Sequence, residues 1–464
     1  MTSKKRMLVI GLDCATPQLV FEKYKDELPN IRKLMEKGAY GKLESCHPPI
    51  TIPAWMVMCT STSPGRLGIY GFRHRKGFSY TEGYIANALS VKREKIWDIL
   101  GKDGRKVCLV SIPPAYPPTP VNGELIGCFI TPDANREYTY PSSLKPEIEK
   151  LVGPYPFDVE FRIEDRDALL KNLIEMTEKH FQVIEHLLTT RKWDFFMFNE
   201  IGVDRLHHGF WKFFDEKHPK YVPGNKYEKV GLEYYKQIDS AIGRLLSKIP
   251  PDITVLVVSD HGAKGMRGAF CFNEWLVQEG YLVLKEKPQK IIDFDEAAVD
   301  WSRTRAWAWG GYYARVFFNV KGREVQGVIE QKDLDREMRE LTEKIMEIRD
   351  PNGRKMDTRV YRPEQLYPVS VGDKPDLMVY FDDLYWRSAG TMGHNALYLA
   401  ENDTGPDDAV HAQHGIFILY DPEIGSVGRI PDVNILDVAP TLLKIMGYNV
   451  PATMEGKPLT LVKK

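Results

Sequence analysis

Six cysteines, Cys14, Cys46, Cys59, Cys108, Cys128 and Cys271, are scattered through 464 residues, and no two stand in a C-x-x-C spacing. That pattern offers neither a zinc knuckle nor a disulfide framework, so the chain reads as reduced and cytoplasmic. Charge of one sign is lacking too: 63 basic residues against 64 acidic ones leave a formal net charge of −1. No electrostatic footprint for nucleic acid or for an anionic membrane is expected, and any anion binding must come from local basic clusters. Long apolar runs are also missing. The opening "MTSKKRMLVIGLDCA" sets a basic cluster before an apolar stretch, but that stretch runs only from Met7 to Leu12 before Asp13 interrupts it, too short for a signal-peptide core. No uninterrupted run reaches membrane-spanning length, and there is no internal repeat or low-complexity tract.

Short apolar runs rich in β-branched residues recur instead: "MLVIGL" at Met7, "KVCLVSI" at Lys106, "DFFMFN" at Asp194, "ITVLVVS" at Ile253, "ARVFFNV" at Ala314, "DLMVYF" at Asp376 and "GIFILY" at Gly415. Hydrophobicity that is nearly continuous, without strict alternation, suits strands buried on both faces of a mostly parallel sheet. Helical patterns lie between them, over Asn30 to Lys37, Asp167 to His186, Tyr227 to Lys248 and Leu334 to Ile348. The alternation predicts a layered α/β fold on a mostly parallel sheet, held as one large domain over residues 1–464. Gly71 to Phe157 and Tyr281 to Lys374 read as embellishments: loops covering one sheet end, and a segment whose Trp and Tyr cluster packs a satellite subdomain or lines a pocket, packing being the plainer reading.

Sites in open α/β sheets form at the carboxyl ends of strands, and several ionisable residues fall there. Asp13 ends the first strand; Asp260 and His261 end another in "VLVVSDHGA". Beyond "DFFMFN", Asp204 and His208 are four apart and share a face if the segment is helical. His411 and His414 precede the last strand in "DDAVHAQHGIFILYDP". Thr51 stands in "HPPITIPAW", where Pro53 signals the first turn of a helix, so its hydroxyl is either a cap or a nucleophile. Taken singly, each residue has a plainer explanation, as a cap for an Asp or a packed core residue for a His such as His207 or His218.

The ordered set is more informative. Strand-end Asp, Thr before Pro at a helix start, Asp-x-x-x-His, Ser-Asp-His-Gly and a late His together resemble the alkaline phosphatase superfamily. "PPITIPAWMVMCTSTSPGRLGIYGF" is similar to the nucleophile loop and helix of its type I phosphodiesterase and nucleotide pyrophosphatase branch. "NILDVAPTLLKIMGYNVPATMEGKPL" resembles the superfamily's closing helix, with Asp437 as a helix cap. The resemblance implies a three-layer α/β/α sandwich and a phosphoester hydrolase with Thr51 as nucleophile and two divalent cations, zinc with manganese or iron as alternatives. One cation would be held by Asp13, Thr51, Asp260 and His261, the other by Asp204, His208 and His411, with His414 as the alternative to His411. Two cations would activate the hydroxyl and stabilise the leaving oxygen, giving a phosphothreonine intermediate. The implied substrate is a small phosphoester, with a nucleotide as one candidate.

One departure stands out. The branch carries a His-Gly-Ile motif followed by an Asn donor to the phosphoryl oxygen; here the stretch is "RLGIYGF", with Leu67 in the His position and Phe72 in the Asn position. The Thr51 amide or a side chain of "RHRKG" (Arg73, His74, Arg75, Lys76) would have to replace that donor. The loss bears on substrate more than on metal chemistry. Alternatives within the superfamily are a phosphomonoesterase, a phosphonate hydrolase or a phosphomutase; outside enzymes, a non-catalytic metal- or phosphate-binding relative.

Overall fold

The computed structural model describes residues 5–462. Strands β1 (Met7–Leu12), β2 (Ala39–Glu44), β3 (Val107–Val110), β4 (Gly123–Ile126), β5 (Phe195–Glu200), β6 (Thr254–Val258) and β7 (His414–Tyr420) make the body of one ten-stranded sheet. Its order is Gly428–Arg429, β2, β7, β6, β1, β5, β3, β4, Thr139–Tyr140, with Val433–Asn434 also beside β2. The central run from β6 to β4 is parallel throughout, with Met7 of β1 opposite Phe195 on one side and Thr254 on the other. β7 is antiparallel to both of its neighbours.

β1 explains why these runs carry no polar alternation. Leu8, Ile10 and Leu12 join one core with Phe196, Phe198 and Ile238, while Met7 and Val9 join a second with Trp55, Phe195 and Met197. Both faces are covered, so every position gains from burial, about 1.5–3 kcal/mol for each large aliphatic side chain. Helices lie where the periodicity puts them, over Pro29–Lys37, Arg166–Thr190, Val230–Lys248 and Leu334–Met346. No helix among the described residues is long and apolar enough to cross a membrane.

Two of the seven apolar runs lie elsewhere. Ala314–Phe318 and Leu377–Tyr380 are central strands of a separate, wholly antiparallel four-stranded sheet, completed by Ala306–Trp309 and Arg359–Tyr361. This satellite sheet has its own core, built on Trp307, Phe317, Leu341 and Val379. A short run buried on both faces looks the same in sequence whichever sheet it enters. Conversely, the 71–157 segment is more than cover, because it supplies β3, β4 and an edge strand to the main sheet. All six cysteines are buried and unpaired.

Candidate active site

Parallel strands end on the same edge, so residues just beyond β1, β5 and β6 converge there. Asp13 follows β1, Asp260 and His261 follow β6, and β5 leads into α2 (Gly202–Phe214), which presents Asp204 and His208 one turn apart. His411 enters from Ala409–Ala412, paired antiparallel with Gly262–Gly265. α1 (Thr51–Thr60) brings Thr51 as its first residue, after an extended Ile50 at the cap position. The Thr51 hydroxyl caps nothing; it lies 3.3 Å from His261 Nε2.

Two groups of donors form around these residues. Asp13, Asp260 and His261 offer ligand atoms within 4.8 Å of one another, and so do Asp204, His208 and His411. Three carboxylate oxygens in them, Asp13 Oδ1, Asp204 Oδ1 and Asp260 Oδ2, are buried with no hydrogen-bond partner. Each faces imidazole nitrogen: Asp260 Oδ2 lies 3.2 Å from His261 Nε2, and Asp204 Oδ1 lies 3.4 Å from His208 Nε2 and 3.6 Å from His411 Nε2. A buried carboxylate oxygen left bare is costly unless a cation takes it up, so this donor set fits divalent metal. His414 lies apart, on β7, half-exposed and 3.7 Å from Asp432. Cys14 also comes within 4.8 Å of His261 and His411, but its thiol donates to the Gly262 carbonyl, and burial followed by the charge of Asp204 keeps it protonated.

The cluster's side chains are oriented from behind, Asp260 by the Cys14 amide at 3.3 Å. Trp55 Nε1 and Asn199 Nδ2 donate to Asp13 Oδ2 at 2.8 and 2.9 Å. Arg205 Nη1 donates to Asp204 Oδ2 at 2.6 Å. Nδ1 of His411 is 2.8 Å from the Pro49 carbonyl, that of His261 is 3.2 Å from the Gly262 carbonyl, and that of His208 is 2.6 Å from Asp407 Oδ1. With Nδ1 occupied, each ring turns Nε2 toward the cluster, which is how metal-binding histidines are commonly held. Gly11 makes the Trp55 contact possible: a Cβ there would stand 2.6 Å from the Trp55 ring and 2.6 Å from the Phe198 carbonyl.

Electrostatics follow from the crowding. Burial, then the charge of Asp204, lifts the Asp13 carboxyl to about 7, and burial with Asp13 beside it lifts Asp260 as well. Burial pushes Asp204 up, but His208, His411 and Arg205 outweigh it and hold it well below the usual range. Burial lowers His261 and His411, keeping them neutral, as ligands must be. Asp407 is buried yet held low by His208, Arg387 and Arg162.

Sequence reasoning missed Asp407 and Tyr312. The Tyr312 ring stacks on His411 at 3.8 Å, and its hydroxyl is 3.2 Å from His208 Nε2. The "DD" before "AVH" marks Asp407 only weakly, and nothing local marks Tyr312. In place of the missing Asn, the Phe72 ring helps line a cavity of about 500 Å³ that adjoins the cluster through Ile50, Arg205 and Tyr312. Of the basic run, His74 accepts from the Tyr70 amide and Arg75 is locked to Asp373, which leaves Arg73 to line that cavity. His207 is structural, 3.1 Å from the Tyr235 hydroxyl.

The type I phosphodiesterase / nucleotide pyrophosphatase profile matches residues 7–416. The chain belongs to that family. It is a hydrolase of phosphoric esters within the alkaline phosphatase superfamily. No curated protein matches it by sequence. Among solved structures it is similar to human ectonucleotide pyrophosphatase / phosphodiesterase 5, at 12% identity and a TM-score of 0.58 with 96% of each chain covered. The murine counterpart gives 13% identity and a TM-score of 0.57, and an inactive murine form in complex with AMP gives 12% and 0.56, each covering 96% of both chains. At that identity the likeness carries the fold: a mixed α/β sandwich on a large, mostly parallel sheet.

Proposed function

We propose that the chain is a metal-dependent phosphodiesterase and nucleotide pyrophosphatase that works through a phosphothreonine at Thr51. The observation that carries this reading is the convergence of three bare carboxylate oxygens and three Nε2 atoms beside the Thr51 hydroxyl. Asp13, Asp260 and His261 with Thr51 would hold one cation, and Asp204, His208 and His411 the other. When bound, two cations lower the proton affinity of a hydroxyl, carry charge on the phosphoryl oxygens and stabilise the leaving oxygen.

The residues of the chain do the rest. Trp55, Asn199 and Arg205 fix the carboxylates, so little reorganisation accompanies the reaction. The amides of Thr51 and Ile52, at the start of α1, would supply the donor that Phe72 cannot. Thr51 Oγ1 forms the bond to phosphorus, its proton leaving to solvent, while the ester oxygen opposite departs with the electron pair. Water then cleaves the phosphothreonine, releasing the phosphate monoester and restoring the hydroxyl. The AMP held by the murine relative supports a nucleotide-type small molecule as substrate; zinc suits the mixed carboxylate and imidazole donors, as do manganese and iron.

The test is hydrolysis of bis-p-nitrophenyl phosphate against p-nitrophenyl phosphate by zinc- or manganese-loaded protein, beside Thr51→Ala. Diester cleavage is expected, falling at least about a thousandfold in the variant while metal content holds. Equal turnover by Thr51→Ala would overturn the nucleophile, and monoester preference would turn the reading to a phosphomonoesterase.

A further inference from the structure

The cavity beside the cluster is lined by five arginines: Arg73, Arg162, Arg205, Arg315 and Arg387. Three already hold carboxylates. Arg205 grips Asp158 through two contacts of 2.6 Å and also Asp204, while Arg162 and Arg387 share Asp407. Arg73 and Arg315 differ. Among the described residues neither has a carboxylate within ion-pair distance; Asp373, the nearest acid acting on Arg315, is taken up by Arg75. Arg315 is only 8% exposed, and its one hydrogen-bond acceptor is the Arg73 backbone carbonyl.

A buried guanidinium without a counter-ion is unfavourable, and a second one beside it makes matters worse. Burial, then the neighbouring Arg73, pulls the Arg315 pKa below its ordinary value. Of the acids on the cavity wall, Asp403 spends its Oδ2 on the amides of Gly390 and Thr391, and Asp293 is exposed. Both arginines also line an adjoining cavity of about 370 Å³, whose acids, Asp293 and Asp295, are exposed and paired with neither arginine. Two planar donor forks lining the same space match a phosphate better than any other common group.

We propose that Arg73 and Arg315 form a second anion subsite, so that the preferred substrate carries a further phosphate beyond the one attacked. This rests on the function proposed above, because the first phosphate is the one seated at the Thr51 cluster. The second could be the next phosphate of a pyrophosphate chain or a separate ester on the same alcohol; the shared chemistry is a phosphate dianion at fixed reach.

The test uses competitive inhibition of bis-p-nitrophenyl phosphate hydrolysis by α,ω-alkanediol bisphosphates of increasing chain length, each compared with the monophosphate of the same alcohol. At one spacer length the bisphosphate should bind at least about tenfold tighter than its monophosphate, and that ratio should fall to about one in Arg73→Gln and in Arg73→Gln/Arg315→Gln. Arg73 is exposed, so the single variant keeps the question open even where the double variant fails to fold. A ratio near one at every spacer in active wild-type enzyme, or a ratio that survives both variants, would overturn the subsite. If the diester is not turned over at all, the functional reading fails instead. Calorimetric titration of the same paired ligands into wild-type and Arg73→Gln protein then decides the subsite by itself, in the same two directions.

Discussion

Asp407→Asn tests whether the cluster depends on groups that hold its ligands. Asp407 is fully buried, with Oδ1 2.6 Å from His208 Nδ1 and Oδ2 accepting from Arg387 Nη1 at 2.9 Å and Arg162 Nε at 3.1 Å. An amide cannot serve both sides. If its oxygen stays on His208, its NH2 faces two guanidinium donors; if it turns over, the NH2 faces the His208 N–H. Either way one charge-assisted contact, about 1.5–3 kcal/mol, is lost, and Arg387 stays buried with no counter-ion, which costs about 3 kcal/mol more in stability. Loss of such an orienting carboxylate lowers metal affinity about 10- to 100-fold. The assay is zinc competition against a chromophoric chelator, run beside urea unfolding of metal-free protein. Asp408→Asn is the comparator: equally buried, the Asp408 carboxylate touches Lys212 at 3.1 Å and Arg166 at 3.8 Å but no histidine of the cluster. It should shift zinc affinity by less than about threefold. If Asp407→Asn destabilises the fold yet binds zinc as wild type does, the orienting role is refuted.

Gly11→Ala should lower stability by about 1–3 kcal/mol, since the Phe198 carbonyl cannot retreat and the Trp55 ring must move off Asp13; an unchanged thermal midpoint would sink the close-approach argument. pH supplies another check. The Asp13 carboxyl rises from 3.8 to about 7 on folding, so between those values the native state binds the extra proton, and metal-free protein loses stability as pH climbs through that window. Cation binding displaces that proton, so the gain in melting temperature on adding zinc should be larger at about pH 8 than at about pH 5; equal gains at both would contradict it.

Much of the cluster was legible because its logic is local. Asp13, Asp260 and His261 stand at the ends of apolar runs, and parallel pairing forces such ends together. Asp204 and His208 share a face through helical spacing alone. What stayed hidden depends on long-range contact. Asp407 meets His208 across 199 positions, and Tyr312 arrives from a different sheet altogether. Asp437 shows the converse: it does occupy a helix cap position, but its carboxylate accepts from the Lys457 amide, and no local rule selects that partner. Arg73 could be named only as one of four basic candidates and Arg315 not at all, since sequence shows charge but not whether an acid sits opposite.

Tyr312 and Arg315 both come from the turn and second strand of the satellite hairpin, Ala306–Trp309 and Ala314–Phe318, whereas Asp13, Asp204, Asp260 and His261 belong to the main sheet and its connections. The donor atoms of the cluster and part of the cavity wall beside them therefore come from different sheets. Change within the hairpin would reshape the cavity wall and, through Tyr312, disturb the seating of His208 and His411 at the same time, so the two cannot vary independently.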